Sequence, residues 1–152
     1  MRISRKTIAS HKYYSKGRIT YTVNNRKAVN PKYNRLIEFL LHDKTHTRRY
    51  VKHKFTCNHF AMLMHDRAES AGIKCGVVTV WFKGTKSGHK LNVFNVIGRG
   101  IVYIDICGDN EGGGYTKIVN VKCDEEYKPN ALFYRELEFY SAGIVEGYSI
   151  FW

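Results

Sequence analysis

The chain predicts an α+β domain, and three observations carry that expectation. Cys57, Phe60, Ala61, Met64, Ala68 and Ala71 recur at helical spacing, so one segment reads as an amphipathic helix. From Gly76 onward the period falls to two, and the residues become β-branched and aromatic, as in strands. With 152 residues, 43% of them hydrophobic and 14% aromatic, the chain can bury one core without disulfides or a metal staple.

Taken in order, residues 1–30 are polar and basic and strand-like only at Ile19 to Val23. Pro31 then precedes an apolar pattern, Leu36, Ile37, Phe39, Leu40 and Leu41, that predicts a short helix. Asp43 to Tyr50 is a charged connection. The helix that follows opens at Cys57, with Thr56 as its N-cap and Gly72 as its stop. Gly76 to Phe82, His89 to Ile97 and Ile101 to Cys107 read as successive antiparallel strands, broken by Gly84 to Gly88 and by Gly98-Arg99-Gly100. Thr116 to Lys122 reads as a further strand, and Phe133 to Tyr140 and Gly143 to Trp152 as edge strands, the last bringing Phe151 and Trp152 against the body. No repeat or linker interrupts the pattern, so residues 1–152 are expected to form a single domain, with 1–55 a basic helical or extended segment and 56–152 a helix plus sheet.

The formal net charge of +12 is uneven, because residues 1–55 carry 15 Lys+Arg against 2 Asp+Glu. Such a block attracts polyanions at long range, or simply keeps a surface solvated. Tyr13, Tyr14 and Tyr21 interleave with Lys12, Lys16 and Arg18, a pattern compatible with stacking on bases, although aromatic residues in a strand more often pack a core. No apolar run approaches the roughly 18 residues that span a bilayer. Met1 to His11 lacks the apolar core of a secretory signal, so no membrane partner and a cytoplasmic location are expected.

Cys57, Cys75, Cys107 and Cys123 form no CxxC pair, and three of them are expected to be buried thiols. His53, Cys57, His59 and His65 lie close in sequence, but a helix starting at Cys57 points His59 away from Cys57, so no metal site is expected. The histidines other than His89 read as surface residues. The glycines at 112–114 precede no GK[ST] and no helix, so they make no phosphate loop.

The chemistry concentrates in Cys57 at a helix start, His89 at a strand start and Asp105 at the end of the next strand. A thiol, an imidazole and a carboxylate are the parts of a nucleophilic acyl-transfer site. The thiolate is the nucleophile, and a helix N-terminus and an imidazolium both favour it. Taken singly, each residue has an ordinary structural role. Positions 89 and 105 share parity and therefore a sheet face. A symmetric turn at Arg99 sets Asp105 opposite Val93 and His89 opposite Asp109, so bringing His89 beside Asp105 calls for a turn centred nearer Ile97, and Asp109 is the spare acid.

The stretches TCNHFAMLMHDRAESAGIKCGVVTVWF and GHKLNVFNVIGRGIVYIDI resemble the transglutaminase-like core of the papain-like cysteine enzymes, over roughly Tyr50 to Ile106. The resemblance lies in a Cys opening a helix with a Phe-Ala pair, a Gly-Ile stop, a strand, and a Gly-His strand leading through a Gly-rich turn to a strand ending in Asp. It implies a papain-like fold with Cys57 as nucleophile, His89 as base and Asp105, rather than Asp109, as the orienting acid. Asn58-His59 and His89-Lys90-Leu91 depart from the Arg-Asp and His-Ala-Trp common in that family. A second oxyanion donor ahead of the Cys is expected among Tyr50, Lys52 and His53.

These readings commit to a thiol-dependent hydrolase or acyltransferase acting on amide or isopeptide bonds through a Cys57 thioester, with no cofactor or metal. The expected partner is a peptide, protein or cell-wall amide, with an anionic one suited to the basic segment. The alternative is a basic polyanion- or nucleic-acid-binding module on the same fold with a non-catalytic triad.

Overall fold

The structure, a computed structural model, describes residues 8–15, 18–108, 114–134 and 136–152, with 8–15 and 18–22 described by their backbone. Strands β1 (Ile8–Ser15) and β2 (Arg18–Asn25) form an antiparallel hairpin, followed by helix α1 (Tyr33–His42) and helix α2 (Cys57–Ser70). A six-stranded antiparallel sheet comes next: β3 (Gly76–Phe82), β4 (Gly88–Val96), β5 (Gly100–Asp105), β6 (Lys117–Val119), β7 (Asn130–Ala131) and β8 (Val145–Phe151). Its order is β7-β6-β5-β4-β3-β8, a meander whose last strand returns to the free edge of β3. The fold class is therefore α+β, with an antiparallel sheet as the periodicity predicts. Among the described residues no helix is long and apolar enough to cross a membrane.

Two apolar clusters divide between the sheet faces. The even positions Phe94, Val96, Ile104 and Ile106 meet Leu36 and Leu40 of α1 and Phe60, Met64 and Ala68 of α2. Each such large side chain, taken fully out of water, contributes about 1.5–3 kcal/mol before entropy is subtracted. On the other face Val78, Val80, Leu91 and Val93 pack with Val119, Val121, Tyr127 and Val145. That face is closed by backbone pairing between the segment after β6 and the approach to β8: Asp124 N–H donates to Val145 O at 2.9 Å, Val145 N–H to Glu125 O at 2.9 Å and Tyr127 N–H to Gly143 O at 2.8 Å. The sheet thus curls over Tyr127, and this closure carries the tyrosine to the end of β5, beside Asp105.

Several sequence expectations are corrected. β1 was not legible in its polar sequence. It forms because β2 offers it an edge, while β2 itself docks on α2: Val23 N–H donates to Asp66 Oδ1 at 2.9 Å and Asn25 N–H to Glu69 Oε2 at 3.0 Å. His65, expected at the surface, is wholly buried under that docking, 3.1 Å from Asp66 Oδ1. Among the described residues of Phe133 to Tyr140 there is no strand. The aromatic residues there pack sideways, Tyr134 and Phe139 against Tyr115, and leave a turn and one bridge from Glu138 to Asn130. β6 stops at Val119, because the following residues depart to make the closure. Of the three cysteines expected to be buried, Cys75 is, Cys107 is half-buried and Cys123 is exposed. Phe151 packs against Ala61, Met62 and Val77, whereas Trp152 stays 41% exposed.

Candidate active site

Cys57 is the first residue of α2, and the entry to the helix is rigidly built. Val51 and Phe55 exchange two backbone hydrogen bonds of 2.8 Å around a tight turn, whose tip residue His53 adopts a φ of 65°. Phe55 then stacks on His59 at 5.5 Å and meets Phe60 edge-on at 4.7 Å. Thr56 caps the helix, and its N–H donates to His59 Nδ1 at 3.1 Å, so His59 completes a capping box in the place where Glu or Gln usually stands. Gly72, with a φ of 85°, ends the helix as expected. Cys57 is left half-buried at the positive end of the helix dipole.

His89 lies near the start of β4 and Asp105 ends β5. The two strands pair as Val96↔Gly100 through Asn92↔Ile104, so the turn centres on Gly98. Continuing that register sets Asp105 opposite Leu91, two positions from His89 on the same face. The turn thus centres one residue nearer Ile97 than a symmetric turn at Arg99 would, and the pair is diagonal rather than directly opposed, within reach of a long ring and a carboxylate. His89 Nε2 lies 2.8 Å from Asp105 Oδ2.

Four groups hold Asp105, which is 3% exposed. Besides His89, the buried Tyr127 hydroxyl donates to Oδ2 at 2.7 Å. The Cys107 N–H donates to Oδ1 at 3.0 Å, an Asx-type turn that also ends the strand before Cys107. Lys117, opposite Asp105 on β6, brings its Nζ within 3.8 Å of Oδ1 and donates to Cys107 O at 2.8 Å. The Tyr127 ring lies roughly perpendicular to those of His89 and Phe82, with ring centroids 5.7 and 5.5 Å away.

The electrostatics follow. Burial pulls the His89 pKa down, but the Asp105 charge, its hydrogen bond and the Cys57 side chain, itself hydrogen-bonded to His89, outweigh it and raise the imidazole to about 10. Burial pushes the Asp105 carboxyl up, yet His89, Lys117 and the Tyr127 hydrogen bond hold it well below the usual carboxylate range. With Nε2 facing Asp105, Nδ1 is the ring nitrogen left for Cys57. Burial, and then the charges of Asp105 and Cys57, push the Cys107 thiol up, so it stays protonated. Tyr50 is also raised, by burial and by the nearby Cys57 and Cys107.

The structure therefore brings Cys57, His89 and Asp105 together. Asp109 lies outside the described residues. Of the three residues weighed as oxyanion donors, Tyr50 is half-buried beside Cys57, while Lys52 and His53 sit exposed at the turn. Tyr127 and Lys117 were missed. Lys117 was findable only from the β5–β6 register, and nothing in the local pattern around Tyr127 marks it. Among the described residues no group of three or more His, Cys, Asp or Glu side chains converges on a metal position. No family model, no curated protein and no solved structure matches the chain.

Proposed function

We propose that the chain is a transglutaminase-like cysteine peptidase or amidase on a papain-like core, cleaving an amide or isopeptide bond through a thioester at Cys57. The observation that carries this reading is one imidazole, His89, hydrogen-bonded to a thiol at a helix N-terminus and, at 2.8 Å, to a buried carboxylate. Asp105 anchors Nε2–H, so Nδ1 accepts the Cys57 proton and the pair rests as thiolate and imidazolium. The thiolate adds to the substrate carbonyl. The resulting oxyanion lies at the end of α2, where the Cys57 N–H points out of the helix. Collapse breaks the C–N bond, and the departing nitrogen takes the proton from His89, a role worth about 10² to 10⁴ in rate. Water then attacks the thioester, His89 taking its proton; the C–S bond breaks as the acid leaves, and the thiolate–imidazolium pair is restored.

The pH dependence of iodoacetamide alkylation at Cys57, with the label located by mass spectrometry, tests this reading. A thiolate persisting well below the free-thiol pKa of roughly 8.5, and lost in His89→Ala, supports it. Cys57→Ala is expected to keep the fold and lose all amide turnover. An ordinary thiol indifferent to His89, together with salt-dependent polyanion binding, points instead to a binding module with a non-catalytic triad.

A further inference from the structure

The strap from Arg48 to Lys54 runs beside the site, with Tyr50 near Cys57 and Cys107. At one end the Arg48 carbonyl lies against Gly108, where an added Cβ would approach it to 2.7 Å, just beyond Asp105 and Cys107. At the other end the Val51–Phe55 pairing sets Tyr50 opposite Thr56, the neighbour of Cys57. Residues 44–65 include five Lys or Arg and no Asp or Glu. Lys44, Arg48, Arg49, Lys52 and Lys54 are all exposed, and among the described residues none forms an ion pair.

The acids that bracket this run are engaged elsewhere. Asp43 is buried, accepting from Thr45 N–H at 3.0 Å and lying 3.4 Å from Arg67. Asp66 holds Val23 and His65. Fold stability alone favours the opposite arrangement: acids belong in the first turn of a helix, where α2 has none, and cations just ahead of it repel its dipole. Uncompensated cations around a reactive thiol raise the local concentration of anions.

Resting on the reading of Cys57 as a nucleophile, we propose that the cationic strap Arg48, Arg49, Lys52 and Lys54 selects an acidic peptide segment as the acyl donor. The thiol requires an amide, which a peptide supplies and a nucleic-acid backbone lacks. Carboxylates flanking the scissile bond meet the strap on either side of Cys57, and release of a neutral product segment is correspondingly easier.

The test needs no known substrate. Cys57 alkylation by iodoacetate and by iodoacetamide is compared in the parent and in Arg49→Gln/Lys52→Gln/Lys54→Gln. Each cation at about 10 Å in water favours the anionic reagent by about twofold, so the iodoacetate-to-iodoacetamide rate ratio is expected to fall roughly eightfold at low salt, and the difference to shrink at 0.5 M salt. Lys52→Gln/Lys54→Gln, confined to the turn, lowers it about fourfold if Arg49 proves necessary for folding. Hexaglutamate is expected to slow iodoacetamide labelling of the parent but not of the variant, and hexalysine to have no effect. An unchanged ratio overturns the proposal, and protection by an oligothymidylate of equal charge as strong as that by hexaglutamate overturns its peptide assignment. If Cys57 of the parent reacts no faster with iodoacetamide than the exposed Cys123, the nucleophile reading itself fails, an outcome separate from a reactive Cys57 indifferent to charge.

Discussion

Asp105→Asn removes one charge and almost no volume, and its consequences can be worked through atom by atom. An amide nitrogen at the Oδ1 position would face the Cys107 N–H and the Lys117 ammonium, donor against donor. At the Oδ2 position it faces Tyr127, whose hydroxyl can turn to accept, and His89 Nε2, which can accept only as a bare lone pair. The second orientation costs less and forces the proton of neutral His89 onto Nδ1, the nitrogen that takes the thiol proton in the proposed mechanism. Amide turnover should therefore fall by about 10² to 10⁴, while the thiol remains alkylatable at high pH. Stability changes with a definite sign. The parent His89 titrates near 10 rather than 6.5, so its contribution is complete below about 6.5 and is lost as the pH rises through about 10. Asp105 is depressed from 3.8, so its contribution is present above that value and is lost as the pH falls through the folded value. Without the carboxylate only Cys57 remains to offset burial, so the His89 pKa falls back from about 10; a fall of about two units is worth ~3 kcal/mol. For a chain of this size the thermal midpoint of the variant should lie about 6–12 °C below the parent near pH 6. That gap should narrow toward pH 10, as followed by circular dichroism. A gap that stays constant from pH 6 to 10 would refute the coupling and, with it, the role given to Asp105.

Two further perturbations test the scaffold. Glu69→Ala leaves the buried N–H groups of Asn25 and Cys75 without their carboxylate, which they meet at 3.0 and 2.9 Å. A loss of about 2–4 kcal/mol is expected, with faster hydrogen exchange at both amides, and unchanged exchange would remove Glu69 as the clasp between hairpin and helix. Gly108→Ala places a methyl 2.7 Å from the Arg48 carbonyl and 3.2 Å from Phe60 Cζ. It should cost about 1–3 kcal/mol in thermal unfolding, and a parent-like melting curve would show that the strap yields freely.

The elements legible in the sequence were those whose pattern is set by the large central core. α2 declares itself through Phe60, Ala61, Met64 and Ala68, and β3 to β5 through alternation that both faces of the sheet enforce. Illegible elements owe their form to partners far along the chain. β1 exists because β2 presents an edge, and β2 is fixed by Asp66 and Glu69 some 43 and 44 residues away. The same cause misplaced His65: a polar residue on the flank of α2, off its apolar stripe, reads as solvated until a second layer docks there.

The site divides along the same line. Cys57, His89 and Asp105 could be ordered from sequence because each sits at an element end that local residues define. The register that joins two of them could not, since a turn centred on Gly98 rather than Arg99 shifts every partner by two positions while keeping every side chain on its face. A two-residue shift is invisible to the hydrophobic pattern, and it decides whether His89 meets Asp105 or a residue beyond it. Tyr127 was further out of reach, because it arrives through the closure that pairs residues 124–127 with 142–145. Asp105 is thus held by a tyrosine on a loop, a lysine on the next strand and a main-chain N–H. A carboxylate buried to 3% exposure stays ionised only because all of these, with His89, converge on it.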